Sequence, residues 1–268
     1  MKLLRLATLL TCLTFTSGAG AFDHSEWNRL LGRFVSATEN GDSTTIDYAG
    51  VQGQRGRLRS YLDRLSDVEA ETFAAWRESE RLAFLINAYN AWTVELILGE
   101  YPDIASIRDI GGWFGSPWKK SIAPLLGEKR TLDEIEHKMI RGSGESDEPR
   151  IHFAVNCASI GCPALRSEAY VADKLDAQLE AQTRDFLKDR SRNRWRDGRL
   201  YVSPIFKWYR EDFETGWRGT HSLAGFLVRY ADALKLSADQ TEALHAGSVE
   251  IRYTDYDWRL NDSRPPDE

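Results

Sequence analysis

Apolar positions along the chain recur mostly at intervals of three and four, the period of a helix with one buried face. Trp27, Leu30, Leu31 and Phe34 predict a first helix within Asp23 to Ala37, and Leu58, Tyr61, Leu62 and Leu65 a second. Between them, Thr44-Thr45-Ile46-Asp47-Tyr48 follows a Gly-Asp turn and reads as short and extended. Tyr170, Val171, Leu175, Leu179 and Phe186 predict a helix from Ser167 to about Lys188, and Leu223, Phe226, Leu227, Tyr230 and Leu234 another. Ser237 and Gln240 form a capping box that opens one more, closed at Gly247.

Period-two alternation is rarer. Lys120 to Leu126 and Lys129 to Leu132 predict a hairpin about Gly127-Glu128. Thr131 with Glu134 then caps a helix through Leu132, Ile135 and Met139. Arg150 to Val155 alternates as a strand carrying His152, Leu200 to Ser203 reads as a strand stopped by Pro204, and Val249, Ile251 and Tyr253 as a last one. Helices outnumber strands without strict strand–helix alternation, and neither an internal repeat nor a low-complexity linker is present. The expected fold is a mostly helical α+β single domain over residues 22–262, with a small antiparallel sheet around a buried central helix and a frayed tail at 263–268.

That central helix is the segment Arg81 to Leu98, apolar on every side and therefore buried all round. Asn87, Asn90 and a glutamate within it argue against a membrane span. Glu80, Asn87, Asn90 and Thr93 fall along one face, which is either a structural polar network or the wall of a site. Asp133, His137 and Arg141 line a face of the later helix at four-residue steps and read as a solvated ion-pair row. Phe206, Trp208, Tyr209 and Phe213, set around Lys207, Arg210 and Asp212, read as a core aromatic cluster.

The chemistry-bearing side chains concentrate in Arg150 to Leu165, where His152, Asn156, Cys157, Ser159 and Cys162 lie close together. Cys157 as a nucleophile needs a base within about 3 Å. Residues 152 and 157 on one straight strand would be on the order of 16 Å apart and on opposite faces. They meet only if the chain folds back soon after Val155; otherwise Cys157 depends on His137, His221 or His245. The competing reading is a Cys157–Cys162 disulfide, for which four intervening residues give enough slack. The five histidines show no metal-ligand spacing, so no metal or cofactor is expected.

Lys2 and Arg5 followed by the apolar run Leu3 to Phe15 and Ala19-Gly20-Ala21 have the form of an export signal cleaved near Ala21. Its removal takes the basic residues from 35 to 33 against 41 acidic, and the net charge from -6 to -8. Such a balance disfavours nucleic acid as a partner and leaves a small molecule or peptide. Periplasmic or secreted protein leaves two cysteines, Cys157 and Cys162, in an oxidising compartment that favours their pairing.

The chain resembles the family known as domain of unknown function 547. The likeness is carried by Ile46-Asp47-Tyr48, Ile86-Asn87-Ala88-Tyr89-Asn90-Ala91, Leu132 to His137 with Arg141, and Arg150 to Ala154 leading to Cys157-Ala158-Ser159 and Cys162-Pro163. Ser203 to Tyr209 with Asp212-Phe213, and Tyr256 to Asn261, complete it. The resemblance implies no reaction; it marks the Asn-bearing helix and the His152 segment as family features. Two readings stand. One is a hydrolase- or transferase-like site with His152 as acid or base, Asn87 or Glu80 orienting it and Cys157 as nucleophile. The other is a non-catalytic binding or scaffold domain stapled by Cys157–Cys162.

Overall fold

The structure, a computed structural model, describes residues 22–39, 41, 43–111, 115–142 and 148–264. The expected export signal at 1–21, the middle of the aromatic loop at 112–114 and the end of the tail lie outside the described residues. The chain enters through α1 (Ser25–Phe34) and forms a small antiparallel pair, β1 (Val35–Ala37) with β2 (Thr44–Ile46), in the register Val35↔Ile46. Next come α2 (Tyr48–Gln52), α3 (Arg55–Ser66), α4 (Ala70–Ala74) and the central α5 (Glu78–Leu98). Every residue of α5 from Leu82 to Val94 is buried, as an apolar perimeter requires. Among the described residues no helix is long and apolar enough to cross a membrane.

The expected hairpin is present as β3 (Ser121–Leu125) and β4 (Glu128–Thr131). Its turn is Leu126-Gly127, both at positive φ, one residue before the expected position. The Thr131–Glu134 capping box starts α6 (Leu132–Glu134), which widens into a π-helical stretch over Ile135–Ile140. α7 (Leu175–Lys188) leads to β5 (Arg194–Arg196) and β6 (Arg199–Val202), which turn through Asp197-Gly198. The chain closes with α8 (Ile205–Trp208), α9 (Leu223–Arg229), α10 (Ala238–His245) and β7 (Ile251–Tyr253). β7 pairs with β6 in parallel, so antiparallel pairing holds for the other three strand pairs but not for this last one.

Two expectations are corrected. Residues 150–155 do not form a strand: Pro149–Phe153 is a 3₁₀ helix, begun by a proline with no N–H to lose and by the Glu148 carboxylate accepting the Arg150 N–H. The alternation has another cause. Ile151 belongs to the core around α1, α3 and α5, whereas Phe153 belongs to a second core of Phe186, Phe206, Phe213 and Phe226. Side chains two residues apart on a 3₁₀ turn point to different sides, so this short piece joins both cores. The α-helix expected from Ser167 begins only at Leu175, after a bend at 167–168 and a 3₁₀ turn over Ala172–Lys174, because the backbone of 169–171 is tied by side chains described below.

His24, beside the start of α1, is buried with Nδ1 2.7 Å from the Tyr61 hydroxyl. Burial lowers its pKa from 6.5 to about 4. The folded state therefore resists a proton that the unfolded chain accepts, and stability falls as pH drops from about 6.5 toward 4. The total is on the order of 3 kcal/mol at 1.36 kcal/mol per unit. Urea unfolding at pH 7.5 and pH 4.5 is expected to show a smaller acid loss in His24→Gln than in wild type by about that amount; equal losses contradict it.

Candidate functional site

The segment 149–171 crosses the interior with little regular structure, so its buried peptide groups need partners from elsewhere. Side-chain amides supply them. Asn87 on α5 donates to the Tyr170 carbonyl (2.8 Å) and accepts from the Tyr170 N–H (3.0 Å). One turn on, Asn90 donates to Ala154 O (3.0 Å) and accepts from Asn156 N–H (2.8 Å). From α7, Gln178 bridges Val171 N–H and Ala169 O, and Gln182 donates to Ala164 O. Asn87, Asn90 and Gln178 each offer the backbone one donor and one acceptor, as a neighbouring strand would. Arg150, 2% exposed, ties the 3₁₀ turn down through Glu148 (2.6 Å), Asp176 (2.5 Å) and Glu180 (3.3 Å).

So anchored, the turn presents His152 to Asp212, on a 3₁₀ turn after α8: Nε2 lies 2.6 Å from Asp212 Oδ2. Arg141 grips the same carboxylate with two bonds, Nε to Oδ2 at 2.7 Å and Nη2 to Oδ1 at 2.8 Å. Burial pushes the Asp212 carboxyl up, but the bonds from Arg141 and His152 outweigh it and hold it well below the usual carboxylate range. Burial likewise keeps the His152 imidazole below its ordinary value, against the attraction of Asp212. The ring is then neutral near pH 7. With an ionised acceptor at Nε2, the proton sits on Nε2 and Nδ1 keeps its lone pair. Buried Nδ1 has no hydrogen-bond partner. Tyr209 stacks on the imidazole at 4.0 Å between centroids and donates its hydroxyl to Glu136 at 2.6 Å, which fixes the ring plane.

His152 lines a cavity of about 220 Å³ that reaches the surface beside Trp208, itself 49% exposed. Trp118, Tyr209, Tyr256 and Trp258 make its aromatic wall, Asp133 and Glu136 its acidic side. Cys157 and Cys162 lie on the wall too, so the chain does fold back after Val155 and brings His152 and Cys157 to one cavity. The cysteines are bonded as a disulfide with Cα atoms 6.0 Å apart. In this state Cys157 has no thiol, which corrects the nucleophile reading.

Asn87 and Glu80 do not orient His152. Asn87 spends both ends of its amide on Tyr170 and does not line the cavity. Glu80 lies seven residues earlier, about 10 Å along the axis, where it caps its own helix through the Arg77 N–H (2.8 Å). The orienting group is Asp212, which sat unrecognised among the aromatics of 206–213. The Asp133–His137–Arg141 row is more than a solvated ion-pair face: His137 is exposed, but Asp133 and His137 line the cavity, and Arg141 holds Asp212 while its Nη1 lies 3.1 Å from His137 Nδ1. The four-residue spacing was the visible signal, and its partner 71 positions away was not. His221 and His245 lie outside the cavity wall.

Residues 73–187 match the family described as "Protein of unknown function, DUF547". The match takes in α5, Arg141, His152 and both cysteines but stops before Asp212 and Tyr256. No curated protein and no solved structure matches the chain.

Asn87→Ala is expected to leave both Tyr170 peptide groups buried and unpaired, costing about 3 kcal/mol in urea unfolding, whereas Glu80→Ala costs far less. Asp212→Asn leaves the Arg141 charge, about a quarter exposed, without a counterion, and is expected to cost about 2 kcal/mol at pH 7. Because the Asp212 carboxyl titrates low, that difference persists above its unfolded value of about 3.8 and vanishes in more acid solution. Stability curves of the pair that stay parallel below pH 3 contradict it.

Proposed function

We propose, for a chain that belongs over residues 73–187 to the DUF547 family, that its aromatic cavity carries out hydrolysis or group transfer with His152 as general base. The supporting observation is His152 itself: the residue lines the cavity, its Nε2–H is committed to Asp212 at 2.6 Å, and its buried Nδ1 has no hydrogen-bond partner. A basic nitrogen held in one tautomer by an ionised carboxylate is the orienting arrangement of acid–base catalysis. In this reading a water molecule or substrate hydroxyl gives its proton to Nδ1 as it attacks, and Asp212 stabilises the imidazolium that forms. Arg141 keeps Asp212 ionised, and the Tyr209 stack keeps the ring from swinging. The substrate is a small molecule or short peptide segment, consistent with the cavity's size. Residues 1–21, in this proposal, direct export and place the reaction in the periplasm or outside the cell.

The buried amides and the disulfide also suit a scaffold without catalysis, and one experiment separates the two. The purified protein is assayed on activated aryl esters, amides and glycosides. Turnover of at least one class is expected, falling about 10²–10⁴-fold in His152→Ala. It is also expected to decline with acid through a pKa below 6.5, as Nδ1 becomes protonated. Folded wild type inert on all three classes, or turnover that survives His152→Ala, overturns the catalytic reading.

A further inference from the structure

The Cys157–Cys162 bridge is surrounded by hydrogen-bond donors to an extent that a staple does not need. The Cys157 N–H points at Cys162 Sγ at 2.9 Å, the Tyr256 hydroxyl lies 3.2 Å from each sulfur, and the Ser159 hydroxyl lies 3.3 Å from Cys162 Sγ and 3.4 Å from Cys157 Sγ. A bonded sulfur accepts such bonds weakly; a thiolate accepts them strongly. The two sulfurs also differ in access, since Cys162 is 2% exposed and Cys157 is the more open of the pair.

The placement of Tyr256 is built in. A Cβ on Gly161 would meet the Tyr256 ring at 2.8 Å, so glycine is what lets the ring lie against the 157–162 loop. The segment bearing Tyr256 is fixed by Gly161 N–H to Asp257 O (2.8 Å) and Ile160 N–H to Arg259 O (2.8 Å). On the far side, Arg192 holds the Ile160 carbonyl at 2.7 Å and also binds the Cys162 carbonyl.

From this geometry we infer that Cys157–Cys162 is a thiol–disulfide exchange site, with Cys157 attacked by a small aminothiol from the cavity and Cys162 as leaving group. The thiolate sulfur bonds to Cys157 Sγ and the bridge breaks. Its electron pair stays on Cys162 Sγ, which the Cys157 N–H and the two hydroxyls stabilise as an anion. A second thiolate then attacks the mixed disulfide. Two thiols leave as their disulfide, and two electrons and two protons remain on the cysteine pair. The cavity selects an aminothiol because its acidic lining is Asp133 and Glu136, and among the described residues no lysine or arginine lies on its wall. This site requires no action by His152 and so stands apart from the reading above.

The test treats the folded protein with cysteamine, quenches with acid, alkylates and maps the two cysteines. Cysteamine is expected on Cys157 with the alkyl group on Cys162. Adduct on Cys162, or a bridge that opens only after unfolding in urea, overturns the proposal. Tyr256→Phe and Ser159→Ala, checked for unchanged circular dichroism, are each expected to slow opening roughly tenfold, the loss of one hydrogen bond to a forming anion. Unchanged rates in both overturn the leaving-group role. Relative to an unfolded control peptide, 2-mercaptoethanesulfonate is expected to react at least roughly tenfold more slowly than cysteamine, because acidic groups repel it. Equal or faster reaction overturns the aminothiol assignment. His152→Ala is expected to keep the labelling pattern, even where it abolishes hydrolysis.

Discussion

The fold depends on side-chain amides that stand in for backbone. From residue 149 to 171 the chain runs through the interior with little regular structure, and a buried peptide group without a partner costs roughly 1–3 kcal/mol. Asn87 and Asn90, one turn apart on α5, answer this with a donor and an acceptor each, Gln178 repeats the device from α7, and Gln182 donates to the Phe153 and Ala164 carbonyls. A further chain of polar contacts, Tyr48 to Asn261 to Asn156, carries the same support toward the end of the described chain. Helices therefore grip irregular chain directly, and that chain bears His152 and both cysteines.

This arrangement accounts for the division of labour around the cavity. Positions that fix backbone are fully satisfied and turned away from open space. Residues that line the cavity keep unspent capacity: His152 has a lone pair on its buried Nδ1, and the Tyr256 hydroxyl lies beside both sulfurs. Burial pushes the Tyr256 hydroxyl up to about 12, so it stays a donor near neutral pH. Asp212 serves both sorts of need, completing a charge pair with Arg141 and setting the tautomer of His152.

Elements whose signal is local were legible in the sequence. The helix at Trp27 to Phe34, the Thr131–Glu134 and Ser237–Gln240 boxes and the hairpin about Gly127 depend on residues within a few positions, and all are present. The 150–155 segment was misread because alternation was taken for two faces of a sheet, when Ile151 and Phe153 serve two different cores. The polar face of α5 was legible as a row whose amides must be paired; its partners at Tyr170 and Ala154 were not, since backbone groups carry no residue signature. Asp212 was hidden for a related reason. Its contact with His152 spans 60 positions, and its aromatic neighbours gave it the look of a core-edge charge. The disulfide, by contrast, followed from an even count and a short spacing.

The strand-like seam between residues 159–161 and 257–260 sets the order in which the molecule can be completed. Cys157 and Cys162 are five residues apart, so their own short loop brings them together. Tyr256, which lies over them, belongs to a stretch that leaves the ribosome about a hundred residues later, after roughly 5–20 s of further synthesis at 5–20 residues per second. Asp212, too, emerges well after His152. Until those stretches join, Tyr256 cannot lie over the 157–162 loop and His152 lacks Asp212, so the cavity wall is complete only when the seam closes.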